Sequence, residues 1–385
     1  IVNMRVARYA EAPVLLVGDI DRGGVMAALM GTLDLLLPDE RALVQGLIVN
    51  RFRGDPVLFR DGVTFLEGRT GLPVLGVVPH VPYLRVADED SVALEGRPRG
   101  PAAHGRPVDV AVVQLPHIAN FDDFAPLEAE PAAGVRYVSH PDDLGWPDLL
   151  ILPGTKTTVD DLRWLRHTRL AERVVGLAAS GAVVLGICGG YQMLGRRIRD
   201  PLHVESAEVD VPGLGLLPVE TSFAPEKTTR QVRGRVLPAP GPLAAAGDSS
   251  ITAYEIHMGQ SHWSELCPRD GGPRSAGDEL QQDQSQPREG DSHLAPAFLL
   301  EDGRLDGCVG AGGTIIGTYL HGLLDNAPLR RALLAWAARR NGRSLDDFPN
   351  ATDDREAEYD RLAAVLRASL NVAVLYRLIG LASDA

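Results

Sequence analysis

Ala182-Val183-Val184-Leu185-Gly186-Ile187-Cys188-Gly189-Gly190 is the stretch that decides how this chain is read. A short apolar run ending in Gly-x-Cys-x-Gly, with a helix-like segment behind it, has the strand–turn–helix form of a nucleophile elbow, with cysteine in the place of serine. The glycines let the chain turn sharply and let backbone approach backbone. Such a turn lifts Cys188 to the carboxyl edge of a buried sheet, beside a helix N-terminus. The thiolate is the reactive form, and a free thiol with a pKa of about 8.5 is only a few per cent ionised at neutral pH. A helix dipole and a nearby histidine both raise that fraction. Read without its neighbours, a cysteine in an apolar strand is equally a small core hydrophobe.

Cys188 needs a base, and the candidate is His321 in Gly317-Thr318-Tyr319-Leu320-His321-Gly322. It ends a predicted strand and precedes a glycine, so it is expected on the active-site edge of the same sheet. A Cys–His pair removes the thiol proton and returns it to a leaving amine. Acyl transfer also needs an oxyanion hole. The Gly189 N–H is one candidate donor, and the turn Pro153-Gly154-Thr155 after the neighbouring strand offers another. Gln192 reads either as an amide-binding residue turned back over the thiol or as solvated helix surface.

The chain alternates around this core in α/β fashion. Strands are predicted at 13–18, 43–50 and 73–79, with helices over 25–37 and 56–68. A second set of strands falls at 108–115, 135–138, 148–153, 182–187, 214–222, 231–237, 251–257 and 314–319. One helix is expected over roughly 158–180, and others at 329–340 and 356–370. Apolar strands separated by helices indicate a parallel sheet covered on both faces. The expected organisation is a first domain over 1–94 and a Gly/Pro/Arg-rich linker over 95–107. A second domain follows over 108–340, with a polar loop at 264–295, and then a helical segment over 341–385.

The 385 residues are 45% hydrophobic and 23% charged, enough for ordinary cores, and no window carries the roughly 18 apolar residues of a membrane span. A net charge of −13 without a dense basic run is evidence against a nucleic-acid partner. No secretory signal is visible, so a cytoplasmic location is expected. The three cysteines, Cys188, Cys267 and Cys308, match no zinc spacing and no disulfide framework. No metal site and no bound prosthetic group are expected. Only Lys156 and Lys227 are lysines, so nearly all positive charge is arginine.

Taken together, Gly-x-Cys-x-Gly-x-Gln, the upstream Pro-Gly-Thr and the strand-end histidine resemble a class I glutamine amidotransferase domain. The wider wording resembles the cobyric acid synthase family. It is carried by Val2–Gly24 (VNMRVARYAEAPVLLVGDIDRGG), Val112–Leu127 (VVQLPHIANFDDFAPL), Leu152–Thr157 (LPGTKT), Gly186–Gly195 (GICGGYQMLG), Tyr254–Gly259 (YEIHMG) and Gly317–Asn326 (GTYLHGLLDN). The resemblance implies a dethiobiotin-synthetase-like, P-loop-type parallel sheet domain followed by a flavodoxin-like amidotransferase domain with a helical C-terminus. It implies ATP- and glutamine-dependent amidation of the b, d, e and g carboxylates of adenosylcobyrinic acid a,c-diamide, with Mg2+ accompanying ATP. By motif, Cys188 is the nucleophile and His321 the base. Gly154, Thr155 and Gly189 belong to the oxyanion and glutamine site, and Gln192 contacts glutamine. Asn50, Asp19 and Asp21 are the nucleotide or synthetase-site candidates. Asn50 also reads as a strand-end turn residue.

Two departures matter. Many class I glutaminases place a glutamate two residues after the histidine, where this chain has Leu323, so the group orienting His321 is unidentified. A phosphate loop needs Gly-x4-Gly-Lys-Ser/Thr. No lysine precedes Lys156, and the chain opens at Ile1 as though upstream sequence were missing. The expectation is a truncated synthetase domain whose chain retains only glutamine hydrolysis. The alternatives are the related a,c-diamide synthase and a degenerate, non-catalytic remnant, with a thiol protease or redox cysteine protein as weaker options. Oligomeric state, the ammonia path and the corrin-contacting residues are not legible.

Overall fold

This computed structural model describes residues 2–82, 84, 106–263, 294–349, 351 and 355–381. The expected linker at 95–107 and loop at 264–295 lie outside the described residues, apart from Arg106, Pro107, Leu294 and Ala295. The chain divides into two compact units, Ile1–Val86 with Asp354–Ala385, and Ala87–Asp353.

In the first unit β1 (Val14–Asp19), β2 (Val44–Phe52) and β3 (Val74–Pro79) form a parallel sheet in that order. Their apolar runs imply cover on both faces, which the described residues provide except at Val17 of the edge strand β1, which is exposed. Leu29 and Leu33 of the Val25–Leu35 helix and Leu66 of the Arg60–Thr70 helix pack with Leu47 and Val49 on one side. The opposite face, with Ile48, Leu75 and Val78, is covered by Val365 and Leu366 of the helix Arg355–Ser369, Val374 of the helix Val372–Leu378, and Leu370 between them. The chain's C-terminal helices thus return to its first sheet. The approach is so close that a Cβ on Gly76 would strike the Ser369 carbonyl oxygen.

The second unit is built on a six-stranded sheet of β4 (Val108–Val113), β5 (Ala133–Val138), β6 (Leu149–Leu152), β7 (Val183–Ile187), and two later strands. Apart from the Asp109–Arg136 ion pair between β4 and β5, these strands are largely apolar and buried, which suits a central sheet sandwiched between helices. A second, seven-stranded sheet uses β8 (Arg197–Arg199), β9 (Asp210–Pro212), β10 (Val219–Val236), β11 (Ser250–Trp263), β12 (Phe298–Leu300) and β13 (Leu305–Asp306). The chain then adds β14 (Cys308–Gly310) and β15 (Ile315–Thr318) to the first of these sheets and β16 (Leu320–His321) to the second. The central order is β14-β15-β7-β6-β4-β5, parallel except for the antiparallel edge β14. The five parallel strands follow the flavodoxin-like order 2-1-3-4-5. Ligand sites in such sheets form outside the carboxyl ends of the strands.

Three elements differ from the sequence reading. The single helix expected over 158–180 is two, Thr158–His167 and Leu170–Ala179, with Arg169 left-handed between them (φ 63°). Leu162 and Leu165 face inward, but the next inward residues are Leu170, Val174 and Leu177. A gap of five breaks the 3.6-residue period, and the break restores its phase. The strands expected at 214–222 and 231–237 are one, β10, paired along its length with β11 across an irregularity between Phe223 and Thr228. The strand expected at 314–319 splits into β15 and β16. His321 therefore pairs with Tyr254 in the second sheet instead of lying on the edge of the central one.

Buried charge ties the second unit together. Arg330 Nε donates to Glu130 at 2.7 Å and Nη1 to the Leu324 carbonyl at 2.8 Å, with both side chains essentially inaccessible. Arg330→Met is expected to lower unfolding free energy by about 3 kcal/mol, because it leaves the buried Glu130 carboxylate with the Ala351 N–H and the more distant Arg331 in place of its close ion pair. Denaturant midpoints would show it, and an unchanged midpoint would refute it.

Candidate active site

β7 ends at Ile187, and Cys188 follows with φ 51° and ψ −109° before the Gly189–Leu194 helix. The Cys188 N–H donates to the Thr318 carbonyl at 2.8 Å, pinning the strained residue to the end of β15. Glycine is obligatory behind it. A Cβ at Gly190 would collide with the Leu152 carbonyl oxygen at the end of β6, and one at Gly189 would come within 2.6 Å of the Thr155 Cγ2. The sulfur is nearly buried and lies 3.6 Å from the Ile256 carbonyl.

The switch of the chain from β15 to β16 carries His321 to the same sulfur. The imidazole lines the same cavity as Cys188 and is stacked on Tyr254, ring centres 5.3 Å apart. Its Nδ1 sits 2.7 Å from Asp123 Oδ2, leaving Nε2 for the thiol, and the other Asp123 oxygen accepts the Gly322 N–H at 2.7 Å. Asp123 is the orienting group that the sequence reading could not identify. It arrives on the short 3-10 helix Phe121–Phe124 after β4, not from the position occupied by Leu323. Burial disfavours a charged imidazole, but the Asp123 hydrogen bond, then Cys188, outweigh it and raise the His321 pKa to about 10.

Cys188, His321, Gly154, Thr155 and Gln192 line one cavity of about 350 Å3, together with Asn120, Lys156, Thr158, Glu205, Lys227 and His257 among others. The Gly154-Thr155 turn is held from beneath by buried Asp161. Its carboxylate accepts the Thr155 hydroxyl and the His117 N–H, the latter at 3.2 Å. A Cβ on Gly154 would sit 2.9 Å from the His321 ring, so the turn needs glycine. Gln192 is buried, which excludes the solvated reading. Its amide accepts from Thr158 Oγ1 at 3.0 Å and donates toward the Tyr319 hydroxyl at 3.4 Å. Asp161, Thr158 and Glu205 were not singled out from sequence, because none sits in a periodic or Gly-marked pattern.

Asp19, Asp21 and Asn50 belong to the first unit, and none of them lines this cavity. Asp19 ends β1 beside Asn50 of β2. Arg51 lies 3.5 Å from Asp19, and Arg53 Nε donates to Asp21 at 2.6 Å. These carboxylates are already paired with arginines. The first 155 residues contain no lysine, and no group of three or more His, Cys, Asp or Glu side chains suited to a metal occurs among the described residues. The residues described here do not make up a nucleotide–Mg2+ site. No helix among the described residues is long and apolar enough to cross a membrane.

A flavodoxin-like sheet that raises a thiol on a strained turn, against an imidazole backed by a carboxylate, defines a glutamine amidotransferase of class I type. Residues 109–329 match the CobB/CobQ-like glutamine amidotransferase domain. Over 397 residues the chain is 49% identical to a cobyric acid synthase of Sorangium cellulosum, covering 99% of this chain and 71% of that protein. Cobyric acid synthases of Desulfitobacterium hafniense (43%, covering 99% and 70%) and Chloroflexus aurantiacus (47%, covering 98% and 69%) are similar over the same span. The chain belongs to the cobyric acid synthase family, and it is an enzyme of amidotransferase type.

Proposed function

We propose that residues 108–340 hydrolyse glutamine and that the ammonia serves ATP-dependent amidation of corrinoid carboxylates. The observation that carries this is Cys188 and His321 lining a single cavity, with the buried Asp123 carboxylate bonded to the imidazole. The Cys188 thiolate attacks the glutamine carboxamide carbon, and the N–H groups of Gly154 and Gly189 receive the oxyanion. His321 gives its proton to the departing nitrogen, which leaves as ammonia, and a γ-glutamyl thioester remains. His321 then takes a proton from water as its oxygen attacks the thioester. Glutamate leaves and the thiol is restored.

The acceptor is adenosylcobyrinic acid a,c-diamide, amidated at its b, d, e and g carboxylates to adenosylcobyric acid in the cytoplasm. ATP with Mg2+ would supply the activation of each carboxylate, at residues other than the cavity described here. The names of the relatives support this substrate over the a,c-diamide synthase reading. The polypeptide of residues 1–385 is proposed to perform only the glutaminase half-reaction, since no Gly-x4-Gly-Lys-Ser/Thr is present in it. The test measures ammonia from glutamine, and separately the corrinoid's mass after incubation with ATP and glutamine. Ammonia release with no mass change is expected. ATP-dependent mass gain in corrinoid would overturn the restriction to glutaminase, and absence of ammonia would overturn the glutaminase itself.

A further inference from the structure

The thioester chemistry uses only the carboxamide end of glutamine, yet the cavity is charged well beyond it. The chain has two lysines in 385 residues, Lys156 and Lys227, and both line this cavity. Lys156 directly follows the Gly154-Thr155 turn. Lys227 closes the irregular stretch 224–227, which separates the pairs Phe223↔Gly259 and Thr228↔His257, and bulges of this kind re-aim side chains. Glu205 is the one carboxylate among the cavity's lining residues. Its Oε1 accepts the Val159 N–H at 3.1 Å, and its Oε2 is 3.5 Å from the Thr158 hydroxyl that also holds Gln192. Its backbone is fixed by Asp200, which accepts the N–H groups of Val204, Glu205 and Ser206 at 2.7–2.8 Å. No ion pair to Glu205 occurs among the described residues, and burial pushes its carboxyl up to about 7. A carboxylate held in place, facing a cavity and lacking a cation of its own, is suited to a cationic ligand.

Resting on the glutaminase reading, we infer that Glu205 receives the α-ammonium of glutamine and is the residue that makes the cavity select an amino acid over a simple carboxamide. Lys156 and Lys227 supply the positive charge that the α-carboxylate requires.

The test compares glutamine with 4-carbamoylbutanoate, which is glutamine without its α-amino group, on the full chain. Wild type is expected to prefer glutamine by about 100-fold in kcat/KM, since a site built for a polar group rejects the analogue lacking it. Glu205→Gln keeps an acceptor for the Val159 N–H but loses the charge. It is expected to cut that preference to below about 5-fold, through a KM for glutamine raised far more than that for 4-carbamoylbutanoate. Glu205→Asp, which keeps the charge, should retain a preference above about 10-fold. An undiminished preference in Glu205→Gln, or equal behaviour of the two variants, overturns the assignment to charge. A wild type that does not discriminate overturns it without any variant. Loss of hydrolysis on both substrates in equal proportion marks Glu205 as only a helix-supporting residue and also overturns it. No ammonia from wild type with either substrate is the separate failure of the glutaminase reading.

Discussion

Cys188→Ala is expected to lower glutamine hydrolysis by at least about 10^4-fold while shifting the unfolding free energy by only about 1 kcal/mol. The asymmetry follows from where the sulfur sits. It is the last atom on a turn whose geometry is set by Gly190 against Leu152 and by the Cys188 N–H on Thr318. Alanine leaves both constraints intact and removes only the attacking atom. Glutamine should still bind, because Glu205, the lysines and the Gly154 turn are untouched. The same experiment can be read by mass. A diazoketone analogue of glutamine should alkylate Cys188 and be blocked by glutamine, whereas Cys308, wholly buried, stays unmodified. Unaltered ammonia release in the alanine variant would remove the thioester from the mechanism. Labelling that glutamine fails to block would remove the cavity as its binding place.

The parts of this site visible in sequence are those where backbone geometry restricts residue choice. Gly186, Gly189, Gly190 and Gly154 stand where a Cβ would meet neighbouring atoms, so they leave a recognisable pattern around Cys188. His321 was visible through its strand end and following glycine, but its sheet was not. The step from β15 to β16 costs no special residue, and only the pairing of Tyr254 with His321 shows it. Asp123 stood within a stretch already notable for its wording, beside Asp122. Nothing local says which of two adjacent carboxylates turns inward. The fold decides it, burying Asp123 and leaving Asp122 exposed. Glu205 lies in a connection whose shape comes from the Asp200 carboxylate, a side-chain-to-backbone arrangement without periodicity. The docking of the Arg355–Ser369 and Val372–Leu378 helices on β3 was illegible for a related reason. Their apolar faces announce that something covers them, but not that it is a strand some 280 residues earlier.

Asp123→Asn is expected to reduce kcat for glutamine by about 10^2- to 10^4-fold and to move the alkaline limb of the pH–rate profile downward. In the wild type the imidazolium persists to about pH 10, held there against its burial by the Asp123 carboxylate and the thiol. The proton it keeps is the one delivered to departing ammonia, so wild-type activity should decline only as pH rises through that value. Asparagine can still accept the Gly322 N–H that Asp123 accepts, so the loop closes, but it carries no charge to oppose desolvation of the ring. His321 then falls toward its ordinary value near 6.5, and the alkaline limb follows it. The sign of the stability effect is fixed by the same shift. A histidine whose folded pKa is raised stabilises the fold fully below about 6.5, and that contribution disappears as pH climbs through about 10. Denaturant midpoints measured from pH 6.5 to 10.5 should therefore fall more steeply for wild type than for Asp123→Asn. An alkaline limb and a stability slope that both survive the substitution would mean that the carboxylate merely fills space beside the ring, and that the base is oriented by its stacking on Tyr254 instead.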